Sequence, residues 1–238
     1  FVALMPWIPP KKPAPAAVVS LDNCNGCARC FEDCPFSAIR MAPRTDGKGY
    51  EAQAEVNADN CMSCGLCVGS CPTATPFRRA GEIVPGIELP LHPIAGLRER
   101  TVSASKEFVK GRRILIYACE HSNSERLDND NARVITLPCV AALPPSFIDF
   151  VLSRNLADGV AISGCADGDC YYRLGGAWTQ QRIDGERDPY LRKRVDRERL
   201  RFWRYRASGG GRQRALETFT AELKALPKNR AGRRFSDA

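Results

Sequence analysis

The stretch Cys24-Asn25-Gly26-Cys27-Ala28-Arg29-Cys30-Phe31-Glu32-Asp33-Cys34-Pro35 decides how this chain reads, together with its counterpart Cys61-Met62-Ser63-Cys64-Gly65-Leu66-Cys67-Val68-Gly69-Ser70-Cys71-Pro72. Both obey C-x-x-C-x-x-C-x-x-x-C-P, the spacing in which thiolates ligate paired 4Fe–4S clusters. Three cysteines two residues apart let one winding loop offer three sulfurs, with backbone N–H groups, to a single cluster. The fourth cysteine lies one residue too far to close on the same cluster and is expected to cross to the other. On that wiring Cys24, Cys27, Cys30 and Cys71 hold cluster one, and Cys61, Cys64, Cys67 and Cys34 hold cluster two. Pro35 and Pro72 end each run and turn the fourth cysteine away, because proline fixes φ and donates no hydrogen bond. Gly26 and Gly65 keep the loops free of Cβ atoms where the backbone must bend.

Zinc sites usually show pairs of C-x-x-C divided by a spacer, not a triplet followed by C-P. A disulfide framework suits a small secreted domain and not a chain of 238 residues. On the duplicated motif, residues 18–76 resemble the bacterial two-cluster 4Fe–4S ferredoxin-type domain. That resemblance implies a small α+β unit working in electron transfer.

The length leaves room for a second domain. An apolar fraction of 44% supports a packed core, and 26% charged residues is ordinary. Of twelve cysteines, eight belong to the two runs, leaving Cys119, Cys139, Cys165 and Cys170. Unpaired thiols beside oxygen-sensitive clusters point to a reducing compartment, so the expected location is the cytoplasm. The net charge of +8 is uneven: residues 171–238 hold 18 Lys/Arg against 8 Asp/Glu, and residues 1–170 hold 17 against 19. Such a basic end suits an acidic partner, nucleic acid or anionic lipid, or is simply a solvated surface.

Residues 1–17 read as an extended, proline-rich segment. Its apolar opening ends in Trp7 and is followed by Lys11 and Lys12, the way a transmembrane helix leaves a bilayer toward the cytoplasm. This allows a membrane segment before residue 1, with the protein at the cytoplasmic face of that membrane. Residues 38–41 and 50–56 read as short strands around Asp46-Gly47-Lys48-Gly49. Residues 77–111 read as a linker with one short helix over 101–109, and residues 227–238 as a basic tail.

In the second domain, residues 112–226, three runs read as buried strands: Arg112-Arg113-Ile114-Leu115-Ile116-Tyr117, Arg133-Val134-Ile135-Thr136-Leu137-Pro138 and Gly159-Val160-Ala161-Ile162-Ser163. Each delivers a cysteine at its carboxyl end, where open α/β sheets place their sites. A helix is expected from Ser146 to about Asn155, a charged helix over 192–201, a strand over 200–207 and a helix over 213–226, after a turn at 208–211. Cys165-Ala-Asp-Gly-Asp-Cys170 adds a fourth cysteine on the same side, which suggests a third metal centre. The expected fold is an α+β ferredoxin-like domain with two 4Fe–4S clusters, followed by an α/β domain with a small, mostly parallel sheet.

The strand-cysteine pattern, with Pro138-Cys139, Asp158-Gly159-Val160, Gly164-Cys165, Cys170-Tyr171-Tyr172 and Gly175, resembles the iron–sulfur delta subunit of methyl-viologen-reducing hydrogenase. The resemblance implies a 2Fe–2S cluster on Cys119, Cys139, Cys165 and Cys170, with zinc as the alternative metal. It also implies electron transfer between a hydrogenase and a heterodisulfide-reductase-type partner. The family tends to carry a further cysteine near the first ligand, where this chain has Ser122. His121 is then an alternative nitrogen ligand.

Taken together, the chain reads as an electron-transfer subunit of an oxidoreductase complex rather than a catalytic subunit. Its partners would be hydrogenase- or heterodisulfide-reductase-like subunits, or a cytochrome or quinone module. With His92 and His121 the only histidines, the usual general base is nearly absent. Two other readings are an oxidoreductase with a catalytic metal centre at Cys119, Cys139, Cys165 and Cys170, and an iron–sulfur protein that binds nucleic acid through its arginine-rich end. No recognised nucleic-acid motif supports the last.

Overall fold

Each cysteine run folds as a loop closed by a single helical turn. The computed structural model describes residues 14–78, 83–206 and 211–229. Strand β1 (Val18–Val19) enters the first loop, which closes in α1 (Arg29–Glu32). Strands β2 (Ile39–Pro43) and β3 (Ala52–Val56) pair antiparallel, Ile39 opposite Val56 and Met41 opposite Ala54. The second loop closes in α2 (Leu66–Ser70). The residues just before the two helical turns, Ala28 and Gly65, both adopt left-handed backbone, with φ of 61° and 78°. Two residues earlier Gly26 and Ser63 do the same, at 65° and 52°. The sequence repeat is thus a repeat of backbone conformation, although glycine fills different positions in its two halves.

The segment expected to be a linker is more ordered than its prolines suggest. Strand β4 (Ile87–Glu88) pairs antiparallel with β1, Val19 opposite Ile87, and closes the first unit. Helix α3 (Ile94–Ala104) begins directly after Pro93, so Thr101 lies near its end and not at its start. Ile94, Leu97 and Thr101 recur at helical spacing and are buried. Thr101 Oγ1 lies 3.0 Å from the buried Tyr117 hydroxyl and ties the helix to the sheet.

That sheet is built from β5 (Ile114–Cys119), β6 (Ala132–Leu137), β7 (Gly159–Cys165) and β8 (Leu200–Tyr205), with α4 (Ser146–Ser153) between β6 and β7, α5 (Gly175–Asp184) between β7 and β8, and α6 (Gly211–Ala225) last. The order is β6-β5-β7-β8 and all three pairings are parallel. Every residue of β5 is buried, as a strand covered on both faces must be. Ile114 and Ile116 pack with Trp203, Leu216, Phe219 and Leu223 under α6. Leu115, Tyr117 and Cys119 face the opposite way, into a core shared with Leu66, Val68 and the buried cysteines of the first unit.

The helix expected over 192–201 does not form. That stretch is irregular except for one 3₁₀ turn at Arg197–Arg199. The reason is a tertiary ion pair. Arg192 and Arg194 both donate to Asp149, at 3.0 and 2.7 Å, from a turn in which the Val195 N–H donates to the Arg192 carbonyl at 3.1 Å; in a helix residues two apart would point to opposite sides. Asp149 is buried while both arginines are about half exposed. Asp149→Ala is therefore expected to cost about 1–3 kcal/mol. This should read as a drop of roughly 2–4 °C per kcal/mol in the thermal midpoint, a scaling ordinary for chains of this length.

The apolar opening at residues 1–13, the glycine turn at 208–210 and the last residues of the basic tail lie outside the described residues. Among those described, no helix is long and apolar enough to cross a membrane.

Candidate metal centres

Two cavities open beside the helical turns α1 and α2. One is lined by Cys24, Cys27, Cys30 and Cys71. The other is lined by Cys34, Cys61, Cys64 and Cys67. Each gathers three cysteines of one run and the fourth of the other. This follows from the local fold, since each run turns away after its helical turn and its last cysteine meets the opposite loop. Burial first, then the neighbouring Cys71, Cys27 and Cys24 sulfurs, push the Cys30 thiol up to about 12. Burial likewise pushes Cys64 up to about 11 and Cys67 well above the ordinary thiol range. Thiols crowded this way become thiolates only when positive charge sits among them, which is the condition a metal cluster meets. Donors are already aimed at the sulfurs: the Ala38 N–H lies 3.3 Å from Cys34 Sγ and the Ala17 N–H 3.5 Å from Cys61 Sγ.

A third group of sulfurs gathers at the carboxyl edge of the parallel sheet. Cys119 ends β5, Cys165 ends β7, and Cys139 follows β6 by two residues. Cys119 Sγ and Cys165 Sγ are 3.8 Å apart. A Cβ on Gly175 would lie 2.2 Å from Cys139 Sγ and 3.5 Å from Cys170 Sγ, so these two sulfurs converge over the first turn of α5. The Cys139 thiol, with backbone N–H groups of Gly176, Tyr172 and Gly175, holds Cys170 down to about 5 against the opposing effect of burial. Cys165 falls to about 7 through its bond with Cys119. Their partners Cys119 and Cys139 rise, through the same two pairings and by burial.

His121 is placed differently. Its ring stacks on Tyr171 at 4.1 Å, and its Nε2 lies 3.4 Å from Glu120 without a hydrogen-bond partner. Its backbone N–H serves Cys119.

With this geometry in hand, comparison with known proteins divides the chain the same way. Residues 23–75 match the family described as "4Fe-4S dicluster domain", and residues 114–227 match "Methyl-viologen-reducing hydrogenase, delta subunit". The chain joins a 4Fe–4S dicluster domain to a hydrogenase-delta-subunit-like domain. It is also 32% identical over 95 residues to an iron–sulfur subunit of the F420-non-reducing hydrogenase vhc of Methanococcus voltae. The match covers 40% of this chain and 65% of that protein, just under two thirds of its length.

The delta-subunit-like domain also uses residues that sequence reasoning passed over. The Ser122 hydroxyl donates to the Cys119 carbonyl at 2.6 Å and continues through Ser124 to Ser163 in steps of 2.8 Å. Buried Arg212 of α6 donates to Ser163 at 3.3 Å, and its charge favours the Cys165 thiolate. This buried polar chain braces the ends of β5 and β7 from behind. Tyr172 is nearly buried and feels both Cys64 of the dicluster domain and Cys139, so it stands between the two cysteine groups. Ser122 occupies the place where a further cysteine was looked for, which hid its bracing role; Arg212 lies far away in sequence.

Proposed function

We propose that this chain is an iron–sulfur electron-transfer subunit of a hydrogenase-type redox complex. The observation that carries the reading is the partition of the eight motif cysteines into two cavities, three from one run and one from the other in each. Cys24, Cys27, Cys30 and Cys71 would hold cluster one, and Cys34, Cys61, Cys64 and Cys67 cluster two. Cys119, Cys139, Cys165 and Cys170 would hold a 2Fe–2S cluster. When bound, these groups supply reversible one-electron redox chemistry. The chain itself supplies thiolates, N–H donors that stabilise sulfur-borne charge, and packing that buries six of the twelve cysteines. The match to an iron–sulfur hydrogenase subunit supports partners of that class, a hydrogenase- or heterodisulfide-reductase-type subunit on one side and a redox enzyme or membrane cytochrome or quinone module on the other.

The basic end lends little to a nucleic-acid reading, because several of its described arginines are engaged within the chain. Arg201 pairs with Glu222, Arg204 with Asp167 and Arg206 with Asp169. Arg199 is buried on Asp196 and the Asp158 carbonyl.

Anaerobic purification followed by iron and acid-labile sulfide analysis tests the function. About ten of each per chain are expected, with 4Fe–4S and 2Fe–2S signals in the reduced protein. A chain holding about eight irons and one zinc would keep the dicluster wire and overturn the third cluster. A chain that binds no iron would overturn the whole reading.

A further inference from the structure

Arg182 stands out because no ligand role uses it and yet it is among the most buried side chains, 1% exposed. It projects from α5 into the seam between the two domains. Its Nη1 donates to the Ala141 carbonyl at 2.9 Å, and its Nη2 donates to Asp33 Oδ2 and, at 3.4 Å, to the Leu66 carbonyl. All three acceptors neighbour a candidate ligand. Asp33 immediately precedes Cys34, Leu66 immediately precedes Cys67, and Ala141 follows Cys139 by two residues. The seam is tight: a Cβ on Gly69 would lie 1.8 Å from the same Ala141 carbonyl and 2.7 Å from Arg182 Nη1. Arg187 also pairs with Asp33, so two guanidinium groups face one carboxylate and a positive charge remains in surplus. Arg182 Nε is buried and has no hydrogen-bond acceptor.

A buried ion pair with positive charge in surplus is costly, and a neutral seam of apolar residues would pack as well. The charge makes sense if what lies on both sides is anionic. We propose that Arg182 is a positioning residue for electron transfer between cluster two and the third centre: its guanidinium clamps the Cys34, Cys67 and Cys139 segments together and sets a fixed positive charge between the two centres. The inference rests on the electron-transfer reading above. A reduced cluster carries one more negative charge than its oxidised form, so a buried cation nearby favours reduction and raises the midpoint potential. By serving both centres at once, Arg182 shifts them in the same direction and leaves the difference between them little changed.

The test is a redox titration of the whole protein followed by electron paramagnetic resonance, with each cluster's content checked by iron and sulfide analysis. Arg182→Gln should lower the midpoints of cluster two and the third centre, and shift cluster one least. Arg182→Lys keeps the charge and loses the planar fork, so its midpoints should return toward the wild type. A merely structural role would give equal losses in both variants with no rescue by lysine, and that result overturns the proposal. So would a fully loaded Arg182→Gln protein with unmoved midpoints. If Arg182→Gln does not load its clusters, two milder variants decide by sign. Arg187→Gln removes a positive charge from the same carboxylate and should lower both midpoints, whereas Asp33→Asn removes the negative charge and should raise them. Shifts of the same sign, or none, would sink the idea. Absence of clusters from the wild type would instead overturn the functional reading itself.

Discussion

Cys71→Ser is expected to remove the cluster held by the first cysteine run and to leave the second run's cluster in place. Cys71 follows Cys67 by only four residues, and simple proximity would assign it to Cys61, Cys64 and Cys67. The fold sends it elsewhere. It ends α2 with extended backbone and reaches the cavity lined by Cys24, Cys27 and Cys30, where its charge is felt directly by Cys30. Cys34 makes the reciprocal crossing and is felt by Cys64 and Cys67. A serine hydroxyl is a poor substitute for thiolate on iron, so each variant should lose close to one whole cluster, about four irons. The check is spectroscopic identity. The signal missing in Cys71→Ser should be the one missing in Cys27→Ser, and the signal missing in Cys34→Ser the one missing in Cys64→Ser. If Cys71→Ser and Cys64→Ser lose the same signal, the crossed assignment is wrong.

How much of this was readable beforehand depended on whether the signal was local. The two cysteine runs carry their own geometry, because ligand spacing dictates the loop, and two cavities are each lined by three cysteines of one run and the fourth of the other. The strands ending near Cys119, Cys139 and Cys165 were equally plain, since uninterrupted apolar runs mark a sheet covered on both faces. Helix α3 was placed too late, although Ile94, Leu97 and Thr101 already showed its period; the surrounding prolines drew attention away from it. The stretch over 192–201 failed for the opposite reason. Its composition favours helix, but the buried carboxylate of Asp149, more than forty residues away, holds Arg192 and Arg194 in an irregular turn. Arg182 was invisible in principle. Nothing in Gln181-Arg182-Ile183 says that the side chain will cross a domain seam to reach residues before Cys34 and Cys67. Its role exists only once the two units are packed.

The third centre can be probed without touching any cysteine. Gly175→Ala should abolish it and leave both 4Fe–4S clusters loaded. The added methyl would stand 2.2 Å from Cys139 Sγ, well inside contact distance, and 3.5 Å from Cys170 Sγ. Cys139 is nearly buried against the Val140–Ala142 turn, so the sulfur has little room to retreat except out of the position it shares with Cys170. The loss should read as about two irons and two sulfides per chain, with the 2Fe–2S signal absent. Gly168→Ala is the matched control. It lies in the neighbouring Cys165–Cys170 loop with φ of 81°, and nothing stands within 4 Å of its added methyl. It should therefore cost only about 1 kcal/mol of left-handed strain and keep the centre. The two glycines separate crowding at the sulfurs from general disturbance of the loop. Retention of the 2Fe–2S signal in Gly175→Ala at the level of Gly168→Ala would remove Cys139 from the ligand set, and with it the sulfur that ties β6 to the centre.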